Sequence, residues 1–235
     1  MPAKPIIGIG QVHLVSAVLP SDYDASQVDW SLLTDKERNR ALRFKFDRHR
    51  NRWVFGRLTL KHLLSSYLNC EALSIELGYG EIGKPYVASP SNNNLLFNYT
   101  DSGGLLIYAF SEGIEVGVDL EFLPRETNFE ALVRRKLTPD EQTAFYEMPV
   151  DHQQSAFLAC WTRKEAYGKA LGVGIRYPMS EVTLCENMQE AVFSLVNDDG
   201  DNVLLHQLQP PFSGIGCIAS IAKQVEICSF SMPMD

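Results

Sequence analysis

Helix-periodic and strand-like stretches follow one another in this 235-residue chain without strict alternation, and that order limits its fold most. Apolar side chains recur at helical steps near residues 30 to 40 and 46 to 69, and two or three further helices are predicted between 127 and 172. Strands are predicted near 11 to 19 and in LSIELGYG, as a hairpin in LLFNYTDSGGLLIYAFS, and in IEVGVDLEFL. Further strands are expected in EVTLCE, EAVFSLV, NVLLHQL and IGCIASIA. A doubly wound parallel sheet needs strands and helices to take turns, so the expected class is α+β with antiparallel sheets. Each half holds helices and three or four strands. The reading is a two-lobed body joined near residues 111 to 116, with lobes at 1–113 and 114–235 and a ligand cleft between them.

Composition narrows the function classes. The 45% hydrophobic and 21% charged content is that of a globular protein. No apolar run is long enough to cross a bilayer, and Gln11 and His13 interrupt the start, which reads as a strand rather than a leader. Five scattered cysteines, never spaced C-x-x-C, indicate neither a disulfide framework nor a zinc site, so a reducing cytoplasm is expected. The net charge of −8 argues against a nucleic-acid coat. Yet the segment from Lys36 to Lys61 holds ten of the 21 lysines and arginines against two acids, Glu37 and Asp47. Such an island suits a small polyanion; it also suits a solvated helix face with snorkelling arginines.

Several motifs are decoys. GYGEIG, residues 78 to 83, matches a dinucleotide-binding pattern, but Pro85 follows at once and pushes Lys84 out of helical geometry. There is no G-x-x-x-x-G-K-[ST] loop, no G-x-S-x-G elbow, and no histidine pair at zinc spacing.

The acidic residues are more informative. In GVDLE, Asp119 and Glu121 leave one face of a predicted strand, where two carboxylates repel unless a cation or proton joins them. In WTRKEAYGKALG, Trp161, Glu165, Lys169 and Gly172 share one helix face. Each motif alone reads equally as surface: an outer sheet face, or a Glu–Lys brace. Together they offer oxygen ligands for magnesium with lysines beside them, which fits phosphate-ester chemistry.

With GVDLE and WTRKEAYGKALG about forty residues apart, the chain resembles the 4'-phosphopantetheinyl transferases of the long, surfactin-synthetase-activating (Sfp) type. The likeness runs from RALRFKFDRHRNRWVFGRLTLKHLL through GKPY and LFNYTDSGG to the Trp161 helix. It implies two similar α/β lobes related by a pseudo-two-fold, with coenzyme A in the cleft. The implied activity transfers the phosphopantetheine arm of coenzyme A to a serine of an apo acyl, polyketide or peptidyl carrier protein, releasing 3',5'-ADP. Magnesium is the implied ion, with manganese as an alternative, and a cytoplasmic monomer serving fatty-acid, polyketide or nonribosomal-peptide synthesis is expected. Nucleic acid and membrane are not expected partners.

By position, the resemblance implies magnesium at Asp119, Glu121 and Glu165. It implies phosphate contacts at Lys164 and Lys169, with Lys169 also assisting the leaving oxygen, and coenzyme contacts at Arg52, Lys84 and Thr100. The base is Glu165 or Glu141. Glu141 also completes a T-x-x-E capping box with Thr138, which is reason enough for it to be there. One position departs: where the family carries a coenzyme-binding histidine, FNYTDS has Asp101, which is expected to turn into its own tight turn. Two other readings remain, a different magnesium-dependent phosphotransferase or phosphohydrolase and a non-catalytic coenzyme- or carrier-binding module.

Overall fold

The computed structural model of the protein describes residues 5–122, 129–174, 178–185, 191–208 and 214–232. Its first sheet is built on β1 (Gln11–Val18), which pairs antiparallel with β5 (Leu105–Glu112), which pairs in turn with β4 (Leu95–Ser102). Two helices, α1 (Asp35–Leu42) and α2 (Asp47–Leu68), separate β1 from a short hairpin of β2 (Glu76–Tyr79) and β3 (Pro85–Ser89). A second sheet has the order β6 (Val116–Phe122), β9 (Gly214–Ile221), β8 (Asn202–Leu208) and β7 (Val192–Val196), all antiparallel. Helix α5 (Val150–Ala170) covers it, and α3 (Phe129–Lys136) and α4 (Pro139–Glu147) pack against α5. The last strand, β10 (Glu226–Ser231), returns to the first sheet and pairs parallel with β1. The protein is α+β with antiparallel sheets, as its sequence leads one to expect, apart from the one parallel pair of β1 and β10.

The apolar run of β5 explains how the sheets join. Leu106, Tyr108 and Phe110 face α2, whose Leu60, Leu63, Leu64 and Tyr67 pack on them. The alternate residues Leu105, Ile107 and Ala109 pack with Val116, Val118, Leu120 and Ile218 of the second sheet. With both faces covered, the strand loses the polar alternation of a half-exposed one. Glu37 ties α1 to α2: it completes the capping box with Thr34 and pairs with buried Arg57 and Lys61 at 3.5 and 3.3 Å.

In β6 the same alternation sends Gly117, Asp119 and Glu121 to the face that α5 covers. A β-carbon on Gly117 would lie 2.1 Å from the Ala166 carbonyl oxygen and 2.4 Å from the Ala170 amide nitrogen, so only glycine lets helix and strand approach this closely. We expect Gly117→Ala to cost about 1–3 kcal/mol by overpacking, at roughly 2–4 °C of melting temperature per kcal/mol for a chain of this size. Because α5 carries Glu165 and Lys169, the strain would displace both residues along with the helix. An unchanged melting temperature in calorimetry would contradict the close packing.

Three local expectations are corrected. EVTLCE is no strand over its described residues 181–185. Its Leu184 amide donates to Glu141, and the carbonyls of Val182 and Leu184 accept from Lys164 and Arg163, so side chains replace a neighbouring strand. Strands β3 and β10 were not expected; GYGEIG forms most of the β2–β3 turn, where Gly80 donates to the Lys84 carbonyl and Gly83 adopts φ +90°. Gly172, expected on the helix face of Glu165 and Lys169, instead lies past the end of α5 at φ +74°, with Val173 donating back to Gly168 in a Schellman closure.

Candidate active site

Side chains stitch β4 to β6. Asn98 accepts from the Val118 amide at 3.0 Å, and Thr100 donates to Asp119 Oδ1 at 3.2 Å. Lys169, from the last turn of α5, donates to Asp119 Oδ1 at 2.7 Å and to the Val118 carbonyl at 2.8 Å. Asp119 thus receives a hydroxyl and an ammonium in a nearly buried position.

Glu165 lies one turn before Lys169 and makes no ion pair or side-chain hydrogen bond among the described residues. Burial raises its carboxyl above the ordinary carboxylate range, and Asp119 and Glu121 push the same way, while Lys169 and Lys136 act against them. Asp119 and Glu121 are thus near enough to act on Glu165, but among the described residues the ligand oxygens of the three carboxylates do not all come within 4.8 Å of one another. Lys169 holds Asp119 Oδ1, a cation where the carboxylates call for one. A donor set made only of carboxylate oxygens fits a hard divalent ion such as magnesium.

Lys136 was missed from the sequence. Its ammonium stands 5.0 Å over the Trp161 ring and 3.6 Å from the Met179 sulfur, and its charge reaches Glu165. The signal was the RRK run closing α3, and only folding sets it against Trp161. Trp161 itself packs on Phe157, beside Lys136.

Lys84 approaches from the β2–β3 hairpin and donates to Glu115 at 2.6 Å and to the Ala170 carbonyl at 2.9 Å. A cavity of about 290 Å³ opens here, lined by Gly83, Lys84, Asn98, Tyr99 and Lys169 among others. A second, of about 420 Å³, adjoins it at Lys84, Pro85 and Gly172. The lining comes from the β2–β3 hairpin and β4 on one side and from α5 and the residues after it on the other.

The structure does not bring Lys164 and Glu141 to that cluster. Lys164 pairs with Glu141 Oε2 at 2.6 Å, both side chains wholly buried, and donates to the carbonyls of Met179 and Val182. Glu141 also accepts from the amides of Thr138 and Leu184 at 2.9 and 2.8 Å. Every polar group in this knot is satisfied by the protein, and it stitches α4, α5 and the 178–185 segment together.

Asp101 departs from expectation as well. Rather than closing its own turn, its carboxylate forms an ion pair with Arg52 of α2. In the basic segment Arg57 and Lys61 go to Glu37 and Arg50 goes to Asp47. Lys36, Arg40, Arg43, Lys45 and Arg48 stay exposed without an ion pair among the described residues.

Comparison with known proteins identifies the family. Residues 115–213 match the model of the 4'-phosphopantetheinyl transferase superfamily, and residues 20–112 match that of the 4'-phosphopantetheinyl transferase N-terminal region. The chain is 35% identical over 168 residues to the 4'-phosphopantetheinyl transferase HetI of Nostoc sp., covering 70% of each protein. It is 29% identical to a putative 4'-phosphopantetheinyl transferase of Synechocystis sp., covering 73% of this chain and 69% of the relative. It is also 28% identical over 170 residues to the human L-aminoadipate-semialdehyde dehydrogenase-phosphopantetheinyl transferase, covering 67% of this chain and 55% of the relative. The chain belongs to the 4'-phosphopantetheinyl transferase family and is a transferase of that type. Enzymes of this family move phosphopantetheine from coenzyme A to apo carrier proteins. No helix among the described residues is long and apolar enough to cross a membrane.

Proposed function

We propose that the cleft of Asp119, Glu121, Glu165, Lys169 and Lys84 binds the pyrophosphate of coenzyme A together with magnesium and passes the phosphopantetheine arm to a carrier serine. The observation that carries this reading is Lys169 clasping Asp119 beside a half-buried Glu165 that has no ion pair or side-chain hydrogen bond among the described residues. Asp119, Glu121 and Glu165 would hold the ion, and its contribution is to neutralise pyrophosphate charge. Glu165 takes the proton of the serine hydroxyl: it is a carboxylate that no ion pair or side-chain hydrogen bond among the described residues ties up. The serine oxygen bonds to the pantetheine-side phosphorus, the bridging phosphorus–oxygen bond breaks, and 3',5'-ADP leaves. Lys169 stabilises the charge on the departing oxygen, and Lys84 is placed to meet the phosphates from the hairpin side. Thr100 orients Asp119.

Glu141 and Lys164 are assigned to the scaffold, since their partners leave them nothing to offer a substrate. Five free thiols among the described residues support a reducing cytoplasm. The test is the metal dependence of coenzyme binding. Isothermal titration should give tight coenzyme A binding with magnesium and at least tenfold weaker binding with EDTA or in Asp119→Asn. Equal affinity in all three would overturn the metal assignment.

A further inference from the structure

Among the described residues one group of metal-ligating side chains comes together, and it lies in the buried knot rather than in the cleft. Glu141 from the first turn of α4, Cys160 from α5 and Cys185 from the 178–185 segment bring their ligand atoms within 4.8 Å of one another. All three are buried, and the two thiols share a hydrogen bond. A tetrahedral zinc with sulfurs at about 2.3 Å and an oxygen at about 2.0 Å keeps its ligand atoms about 3.5 to 3.8 Å apart. A small inward movement therefore closes the group on an ion. Glu141 has an acceptor position left for it: Oε2 takes the Thr138 amide and the Lys164 ammonium, but Oε1 takes only the Leu184 amide. Because the three ligands sit on separate elements, no C-x-x-C spacing announces them.

We propose that Glu141, Cys160 and Cys185 form a structural zinc(II) site that ties α4, α5 and the 178–185 segment together, separate from the carboxylates of the cleft. Sulfur ligands select a borderline-soft ion such as zinc, whereas magnesium keeps to oxygen. The charges balance. Glu141 and Lys164 already cancel, and the two thiols are neutral while protonated. A divalent ion that replaces the two thiol protons meets two thiolates, so the buried knot stays neutral and escapes the cost of an unpaired interior charge. Two sulfur–zinc bonds form, both protons pass to the buffer, and nothing is oxidised or reduced. Burial holds the Cys160 thiol protonated in the absence of an ion, while the Lys164 charge favours the thiolate. Cys217, wholly buried on β9 with the charges of Arg163 and Cys185 acting on it, is the sulfur at hand for a fourth position. Since the ligands are sealed from solvent, the ion enters as the chain folds.

The test measures metal in the full-length protein purified natively from cells grown with added zinc chloride. A short EDTA wash strips the open cleft, and the sealed site keeps its ion. Elemental analysis should then find about one zinc per chain in the wild type and in Asp119→Asn. Cys160→Ser and Cys185→Ser should each hold at least about fivefold less, because removing a thiolate breaks the ligand set. Protein from cells grown with cobalt chloride supplies a signature that needs no variant: a thiolate-to-cobalt charge-transfer band in the near ultraviolet. Should the serine variants fail to fold, that band and the wild-type zinc content decide. Wild-type zinc below about a tenth of an equivalent, with no cobalt–thiolate band, overturns the proposal and makes Cys160 and Cys185 plain core side chains. Zinc retained in full by the double serine variant overturns it as well, since the ion then sits elsewhere.

Discussion

Glu165→Gln is expected to slow phosphopantetheine transfer by roughly 10²- to 10⁴-fold, the usual contribution of a positioned base, while making the metal-free protein more stable. The two effects share one cause. Burial and the neighbouring Asp119 and Glu121 hold the Glu165 carboxyl above its ordinary range. The folded state therefore favours the protonated form. Its contribution to stability is fully present below the ordinary carboxylate pKa and is lost as pH rises through the raised value. At neutral pH the wild type carries a charge that the fold disfavours, and glutamine does not. The variant should melt at a higher temperature near pH 7.5, and the gap should close below about pH 4. Added magnesium should raise the melting temperature of the wild type more than that of the variant. A variant that transfers at the wild-type rate, or melts lower at neutral pH, contradicts the role given to Glu165.

Glu141→Gln should do the reverse. It leaves the Lys164 ammonium buried with only carbonyl partners, a loss of about 3–5 kcal/mol for a broken buried pair. That corresponds to roughly 10 °C of melting temperature at this chain length. Per folded molecule, transfer should stay within a few-fold of wild type, because Glu141 has no surface facing substrate. Replacing both partners with methionine should recover part of the stability, since an apolar pair leaves no orphaned charge. Wild-type stability together with a hundredfold loss of transfer would instead make Glu141 the base.

Much of the fold could be read directly from periodicity. The 22-residue α2 and the hairpin of β4 and β5 stand close to where their patterns place them. The misses have physical causes. EVTLCE alternates like a strand, but Glu141, Lys164 and Arg163 take its backbone groups, and no local pattern announces partners 18 to 43 residues away. β10 is short and largely exposed, so its apolar signal is weak.

In the site, the shared helix face of Glu165 and Lys169 was legible because α-helical steps are regular. Lys164, one position earlier, points about 100° away, and that turn carries it into the core. Lys136 and the Arg52–Asp101 pair depend on contacts between separate elements, which residue spacing does not encode.

The central claim is that this cleft moves a phosphopantetheine arm onto a carrier serine. Mass spectrometry of apo carrier proteins, incubated with the protein, coenzyme A and magnesium, addresses it most directly. The account predicts a carrier heavier by one phosphopantetheine arm, with release of 3',5'-ADP, and no modification in EDTA or with Glu165→Gln over the same time. Acyl, polyketide and peptidyl carriers all left unmodified, or a yield identical with Glu165→Gln, would contradict it.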